Sequence, residues 1–316
     1  MTDFEKSVRT VLKNCLSLKP KDSLLIVAED ALDETAEFIW KCAKRLTKKL
    51  ILTKFDFKNL NGHNLPGAIY SSLQYSNTSL ILCSNCLQQL TFNTEKQNGA
   101  RILVLENASR RFVERAFVPD YKKISNLSRK LADLFSIGKK VRLQSPSGTD
   151  AMLTIARIKG KADTGIVDEN GGLMFLPAGE ASLSLNHKNI DGRVVLDRIA
   201  GVRKKLANPI LLNVNDGHVL QIRGGEEAQL LKRDLRKFKD EGRKIYELGV
   251  GTNKSIVLGR SAKEDEKSFG NVHISLGKNQ TTKSNTKLLQ AVKGIVLKPT
   301  LTIDDRLIIK DGKFLV

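Results

Sequence analysis

SLLIVA at residues 23–28 and RILVL at residues 101–105 are the segments that best indicate the fold class of this chain. Both are apolar without alternation, which is typical of strands buried on both faces of a parallel sheet. The LIL segments at residues 50–52 and 80–82 have the same character. Between these segments apolar residues recur at helical spacing, for example over residues 33–46. Strands that alternate with helices predict a parallel sheet with helices on its faces.

The pattern of the sequence changes near Lys139. The second half has short segments of alternating polarity and frequent turn dipeptides such as Asp216-Gly217, which indicate β-strands and hairpins. One amphipathic helix is predicted from about Glu226 to Glu241. We therefore predict an α/β N-terminal domain with a parallel sheet, residues 1–138. A β-rich α+β C-terminal domain, residues 139–316, would follow it.

The composition excludes some classes of protein and weakens others. No stretch of the 316 residues approaches the roughly 18 apolar residues that a membrane span requires. The N-terminus has early acidic charge and no long apolar run, so we expect a cytoplasmic protein without a membrane partner. The net charge is +19, with +9 before residue 141 and +10 after it. Because this charge is spread evenly and aromatic residues are only 5% of the chain, nucleic-acid binding has weak support.

Cys83 and Cys86 have the two-residue spacing of a redox motif or of half a zinc site. No second motif of this kind occurs, and a structural zinc site needs about four ligands. The apolar residues before Cys83 predict a buried strand. We therefore favour the end of a strand with two reduced thiols over a metal site.

Three residues of the second half have a sequence context that favours metal chemistry. Glu180 follows a Pro-Ala-Gly turn, Glu247 lies in an apolar, glycine-rich stretch, and His273 alternates with apolar residues on a predicted strand. Buried carboxylates are costly unless they are paired or bound to a metal. Two carboxylates and one imidazole would suit a divalent cation. The spacing alone leaves open a core histidine, a Glu180 that accepts backbone hydrogen bonds, and an exposed Glu247.

LPAGE at residues 176–180, ELGVGTN at 247–253 and GNVHISLG at 270–277 occur in this order. Together they resemble signature segments of the aminopeptidase T family of metallo-aminopeptidases. The similarity extends from Cys15 near the start to Phe314 at the end. It therefore covers nearly the whole chain, which looks like a short and divergent member.

The resemblance implies a homodimer that hydrolyses the N-terminal peptide bond of small peptides. It implies a paired site for zinc, cobalt or manganese, with Glu180, Glu247 and His273 as metal ligands. Family members close this site with a His-x-Asp segment shortly before Lys-Pro-Thr. Here Ala291 and Lys293 stand at those two positions. The ammonium of Lys293 would oppose a cation by like-charge repulsion and would replace metal charge by pairing with Glu180 or Glu247.

Several alternatives remain open at this point. The protein could be a catalytically inactive family member that acts in binding or assembly, with no metal at all. Some relatives of this fold are ring-cleaving dioxygenases, whose two-His-one-carboxylate set also needs the missing histidine. His187 and His218 lie in turn-rich segments and could substitute as ligands, although an exposed turn is the favoured interpretation of His218. Nucleic-acid binding rests on charge alone.

Overall fold

The structure is a computed structural model that describes residues 3–55, 67–84, 99–106, 108–116, 120–185, 189–277, 280–281, 288–289 and 291–316. Its α-helices are α1 (Asp3–Thr10), α2 (Asp33–Ala43), α3 (Gly67–Tyr75), α4 (Arg110–Ala116), α5 (Tyr121–Ile137), α6 (Glu226–Arg236) and α7 (Ala262–Glu266). A π-helical turn, Val11–Cys15, follows α1, and a 3-10 turn, Lys239–Arg243, follows α6. None of the helices in the described ranges is long and apolar enough to cross a membrane.

The strands fall into two groups along the chain. Those up to residue 176 are β1 (Ser23–Glu29), β2 (Lys49–Phe55), β3 (Thr78–Cys83), β4 (Arg101–Glu106), β5 (Lys140–Gln144), β6 (Asp150–Thr154), β7 (Gly160–Asp163) and β8 (Gly172–Leu176). The later ones are β9 (Glu180–Ser184), β10 (Ile190–Leu196), β11 (Arg198–Ile199), β12 (Ile210–Asn215), β13 (His218–Arg223), β14 (Ile245–Gly251), β15 (Val272–Leu276), β16 (Gln280–Thr281), β17 (Leu288–Leu289), β18 (Val292–Val296), β19 (Thr300–Ile303), β20 (Arg306–Lys310) and β21 (Lys313–Phe314).

Contacts divide the chain into two compact units. The first contains Met1–Ser125 and Thr164–Ala178, and the second contains Asn126–Asp163 and Gly179–Val316. The boundary predicted between residues 138 and 139 falls inside the second unit. The two units interleave along the chain because β8, which lies after this boundary, joins the sheet of the first unit.

The first unit is built on a parallel sheet with strand order β2-β1-β3-β4-β8. Along β1, Leu24 and Ile26 belong to the apolar cluster on one face, whereas Leu25 and Val27 belong to the cluster on the other. Both faces are covered, which is why the strand is apolar at every position. This confirms the α/β character predicted for the N-terminal part.

The second unit is β-rich and antiparallel. One sheet has the order β13-β12-β10-β6-β5-β19-β20-β21, and another has the order β11-β18-β15-β14-β9-β7. One cluster of buried apolar side chains includes Leu183, Leu196 and Ile274 and forms the core of this unit. The helix predicted from Glu226 ends as an α-helix at Arg236. The predicted fold class, a parallel α/β part followed by a β-rich part, is confirmed.

The cysteines differ from the prediction at one position. Cys83 ends β3 and is disulfide-bonded, so the prediction of a reduced thiol at the end of this strand is wrong. Cys86 lies outside the described residues. Cys15 is a free and buried thiol, and burial raises its pKa. A raised pKa keeps a thiol protonated and unreactive.

Candidate metal centre

Four neighbouring strands of the second unit bring the predicted site residues to one face of a sheet. Glu180 begins β9, Glu247 lies in β14, His273 in β15 and Lys293 in β18, and these strands are adjacent in the order β18-β15-β14-β9. The antiparallel register places Glu247 and Lys293 on either side of Ser275. Because alternate residues of a strand share a face, His273 projects to the same side as Ser275.

Gly249 provides the space in which two of these side chains meet. It lies in β14 directly opposite His273 in β15. A methyl group on Gly249 would lie 2.2 Å from Cε1 of His273 and 2.6 Å from Oε1 of Glu180. The glycine-rich character of the Glu247 segment therefore has a steric cause, since a side chain at Gly249 would exclude the imidazole.

Within the described residues, His273 is buried in this cluster without a hydrogen-bond partner. Its side chain is 1% exposed, and its Nε2 lies 3.5 Å from Oε1 of Glu180 and 3.7 Å from Oε2 of Glu247. Neither ring nitrogen has a hydrogen-bond partner within the described part of the chain. Buried polar atoms are rarely left unsatisfied, and such an exception is often explained by an ion or a catalytic role.

Two lysines enter the same cluster and separate its carboxylates. Lys267 contacts Glu180, and its Nζ lies 3.0 Å from Oδ2 of Asp163. The Nζ of Lys293 lies 3.0 Å from Oε2 of Glu247 and 2.9 Å from Oε2 of Glu266. Of the two contacts predicted as alternatives for Lys293, the structure therefore contains the one with Glu247.

The charges of the cluster change the acidity of its members. Burial tends to raise the pKa of Glu180, but the ammonium of Lys267 outweighs this effect and lowers it. For Glu247, burial is likewise outweighed, by its contact with His273 and by Lys293, and the pKa is strongly lowered. Burial dominates at Asp163 and raises its pKa despite Lys267. Glu180 and Glu247 are therefore held in the ionised form.

The carboxylates also raise the pKa of both lysines. Burial disfavours the charged amine of Lys267, but Glu180 and Asp163 overcome this and hold its pKa well above the ordinary value. At Lys293 burial is outweighed by Glu266 and Glu247, and the pKa is again raised. Both lysines therefore remain ammonium ions at neutral pH.

One group of side chains has the arrangement of a metal site. Among the described residues, Glu180, Glu266 and His273 each offer one donor atom, and these atoms lie within 4.8 Å of one another. Glu266 is the last residue of the short helix α7 and was not selected as a candidate from the sequence. Imidazole nitrogen and carboxylate oxygen suit divalent zinc or manganese, so the residues fit such an ion.

The other candidates lie elsewhere. His218 begins β13 in the other large sheet, and its Nδ1 is 3.0 Å from the carbonyl oxygen of Asp216. His187 lies outside the described residues. Ala291 directly precedes β18, and its methyl side chain has no atom that could bind a metal. Asp163 and Lys267 belong to the cluster although no sequence pattern singled them out.

We expect the substitution Gly249→Ala to disrupt this cluster. The added methyl group would collide with His273 and Glu180, and overpacking of this kind costs about 1–3 kcal/mol of unfolding free energy. Urea unfolding of the metal-free protein measures the loss. Gly67→Ala is the matched control, because among the described residues no heavy atom beyond the chain neighbours lies within 4 Å of a Cβ at Gly67. Equal stability of Gly249→Ala and the parent protein would contradict the packing described above.

The fold and the cluster define a protein with a parallel α/β unit, a β-rich unit and a candidate metal centre in the latter. The family model described as NicX, 2,5-dihydroxypyridine 5,6-dioxygenase, matches residues 72–316, and the chain belongs to this family. No protein with a curated description matches the chain in sequence.

The solved structures that are similar to this chain include two that align with nearly all of it. The 2,5-dihydroxypyridine dioxygenase from Pseudomonas putida KT2440 has a TM-score of 0.75 and 16% identity, over 100% of this chain and 98% of that chain. Wild-type AmpT from Thermus thermophilus has a TM-score of 0.64 and 12% identity, over 99% of each chain. At these identities the likeness shows the fold alone. The resemblance to the aminopeptidase T family is therefore confirmed at the level of the fold.

Proposed function

We propose that this protein is a metal-dependent hydrolase that binds a divalent cation through Glu180, Glu266 and His273. The observation that carries the proposal is the buried imidazole of His273, whose two nitrogens have no hydrogen-bond partner within the described residues. Two carboxylates that offer oxygen atoms within 4.8 Å of a donor atom of this ring complete a three-residue set. Three protein ligands are typical of catalytic metal sites, which keep one position open.

The charge of the cluster supports the same proposal. Among the described residues, the ammonium of Lys267 is shared between Asp163 and Glu180, and that of Lys293 is shared between Glu247 and Glu266. Each of these two pairs of carboxylates therefore shares a single lysine. Buried charges are costly unless they are compensated. A single divalent cation would compensate them.

The proposed reaction is hydrolysis of the N-terminal peptide bond of small peptides. A bound divalent cation would supply Lewis acidity and an acidic water. The carboxylate of Glu247, which accepts a hydrogen bond of 3.2 Å from the Oγ of Ser275, lies 3.7 Å from Nε2 of His273 and would border the bound cation. Zinc, cobalt and manganese are the candidate metals.

Ring-cleaving oxygenation is the second candidate function. It is supported by the family model and by the likeness to the Pseudomonas putida dioxygenase. Non-haem iron dioxygenases commonly use two histidines and one carboxylate. The metal-site group of the described residues contains one histidine, and its other members are carboxylates. We therefore place hydrolysis first.

Metal removal and reconstitution test the proposed function. We expect elemental analysis of the purified protein to find a divalent metal and chelation to abolish hydrolysis of dipeptides. Addition of zinc, cobalt or manganese should restore it. Oxygen uptake with 2,5-dihydroxypyridine after anaerobic loading with ferrous iron would favour the dioxygenase instead. Protein that binds none of these metals and is inactive in both assays would support a non-catalytic role in binding or assembly.

The predicted partners remain predictions. A homodimer would double the mass measured by light scattering relative to the 35.1 kDa chain. Binding to generic duplex DNA with a steep salt dependence is the minimum that a nucleic-acid function requires.

A further inference from the structure

We propose that Lys293 takes the place of a second divalent cation, so that the centre loads one metal ion and residue 293 sets the stoichiometry. The inference rests on the proposed function, since it requires that a first cation binds. It concerns a departure from the paired site that the resemblance to aminopeptidase T implies. A lysine stands here where that resemblance implies an aspartate.

The contacts of Lys293 are those of a bridging cation. Its Nζ lies 3.0 Å from Glu247 and 2.9 Å from Glu266, so one ammonium joins two carboxylates of different elements. Glu247 lies in β14, and Glu266 is at the end of α7. A metal ion that bridges two carboxylates would need the same two oxygen atoms. The ammonium therefore occupies the position that is chemically suited to a second ion.

The second lysine holds the carboxylates on the other side of the described cluster. Lys267 contacts Asp163 and Glu180 on the other side. Oε1 of Glu180, the oxygen that does not contact Lys267, faces Nε2 of His273 at 3.5 Å. Between the two ammonium groups, the donors that remain for a cation are the imidazole of His273 and the carboxylate oxygens that surround this ring. This arrangement accommodates one ion and repels another by like-charge interaction.

Manganese binding to the full chain tests the inference. We expect the parent protein to bind one Mn²⁺ per chain by titration and elemental analysis, with the six-line electron paramagnetic resonance spectrum of an isolated ion. Lys293→Asp replaces the ammonium by a ligand. This variant should bind two ions per chain and show the broadened spectrum of a spin-coupled pair.

Two control variants separate position from charge. Lys293→Arg keeps the positive charge, so one ion per chain is expected. Lys161→Asp makes the same change of charge at an exposed residue of β7, whose Nζ contacts only Ser184 Oγ in the described structure. One ion per chain is expected there too. A second ion in Lys161→Asp would show that net charge, and not residue 293, sets the number.

The outcomes distinguish the inference from the proposed function. A parent protein that binds two ions overturns the inference and leaves the metal-dependent function standing. A parent protein that binds none overturns both. Folded Lys293→Asp that still binds one ion overturns the inference alone. Should Lys293→Asp fail to fold, Lys293→Gln takes its place in the test. Removal of the ammonium should admit a weaker second ion at raised Mn²⁺ concentration. If Lys293→Gln still binds one ion under these conditions, the inference is overturned.

Discussion

Replacement of His273 by alanine is expected to lower the affinity for Mn²⁺ or Zn²⁺ by more than about 100-fold. Loss of a residue that only supports a ligand typically costs about 10–100-fold, and His273 is the sole nitrogen donor of the proposed site among the described residues. Isothermal titration of chelator-treated protein measures the effect. The same variant should lose hydrolytic activity together with metal binding.

His218→Ala is the matched control for this experiment. His218 is the other histidine that the structure describes, and it lies in β13 of a different sheet. We expect its replacement to leave metal affinity unchanged. This control tests whether an imidazole outside the proposed site contributes to metal binding.

Stability provides an independent measurement of the same effect. A ligand that binds only the folded state at 100 times its dissociation constant stabilises that state by about 2.7 kcal/mol. We expect this gain for the parent protein and for His218→Ala, but not for His273→Ala. Metal-induced stabilisation that persists in His273→Ala would show that the cation binds elsewhere.

The sequence predicted the strands of the first unit because their environment imposes a simple pattern. Leu24 and Ile26 pack on one face of the sheet, while Leu25 and Val27 pack on the other. Burial on both faces requires apolar residues throughout, and this can be recognised without knowledge of the neighbours. The membership of β8 in the same sheet could not be recognised, because pairing with β4 joins residues that are far apart in the sequence.

The candidate site was predictable only in part. Glu180, Glu247 and His273 were selected by their local context and by a family resemblance, and the structure brings all three together. Their proximity depends on the strand order β18-β15-β14-β9, which alternation of polarity does not encode. Glu266 and Lys267 were missed because Glu266 ends, and Lys267 directly follows, a helix of five residues, which is too short to show a periodic pattern.

The substitution Lys267→Ala is expected to have the largest effect on stability. The ammonium of Lys267 contacts Glu180 and Asp163, and the side chains of Lys267 and Glu180 are only 13% and 5% exposed. Removal of one partner from a buried ion pair leaves an uncompensated charge and costs about 3–5 kcal/mol. Urea unfolding of metal-free protein at neutral pH measures the loss.

A double variant identifies the cause of this loss. In Lys267→Ala with Glu180→Gln, the buried carboxylate that lost its partner is replaced by a neutral amide. We therefore expect the double variant to be more stable than Lys267→Ala alone. Lys161→Ala removes an exposed lysine of β7 and should change the unfolding free energy by about 0.5 kcal/mol or less. A similar loss in both single variants would contradict the role of the buried pair.

The pH dependence of the difference between the parent protein and Lys267→Ala follows from the directions of the pKa shifts. Because the pKa of Lys267 is raised on folding, its contribution is fully present below the ordinary lysine value and is lost as the pH rises through the folded value. The pKa of Glu180 is lowered on folding. The stabilisation that its carboxylate contributes is therefore present above about pH 4.3 and is lost as the pH falls below this value. The difference in stability should therefore be constant across the neutral range and decline at both extremes. A maximum confined to acidic pH would indicate that a protonated carboxyl group, and not the ammonium, stabilises this cluster.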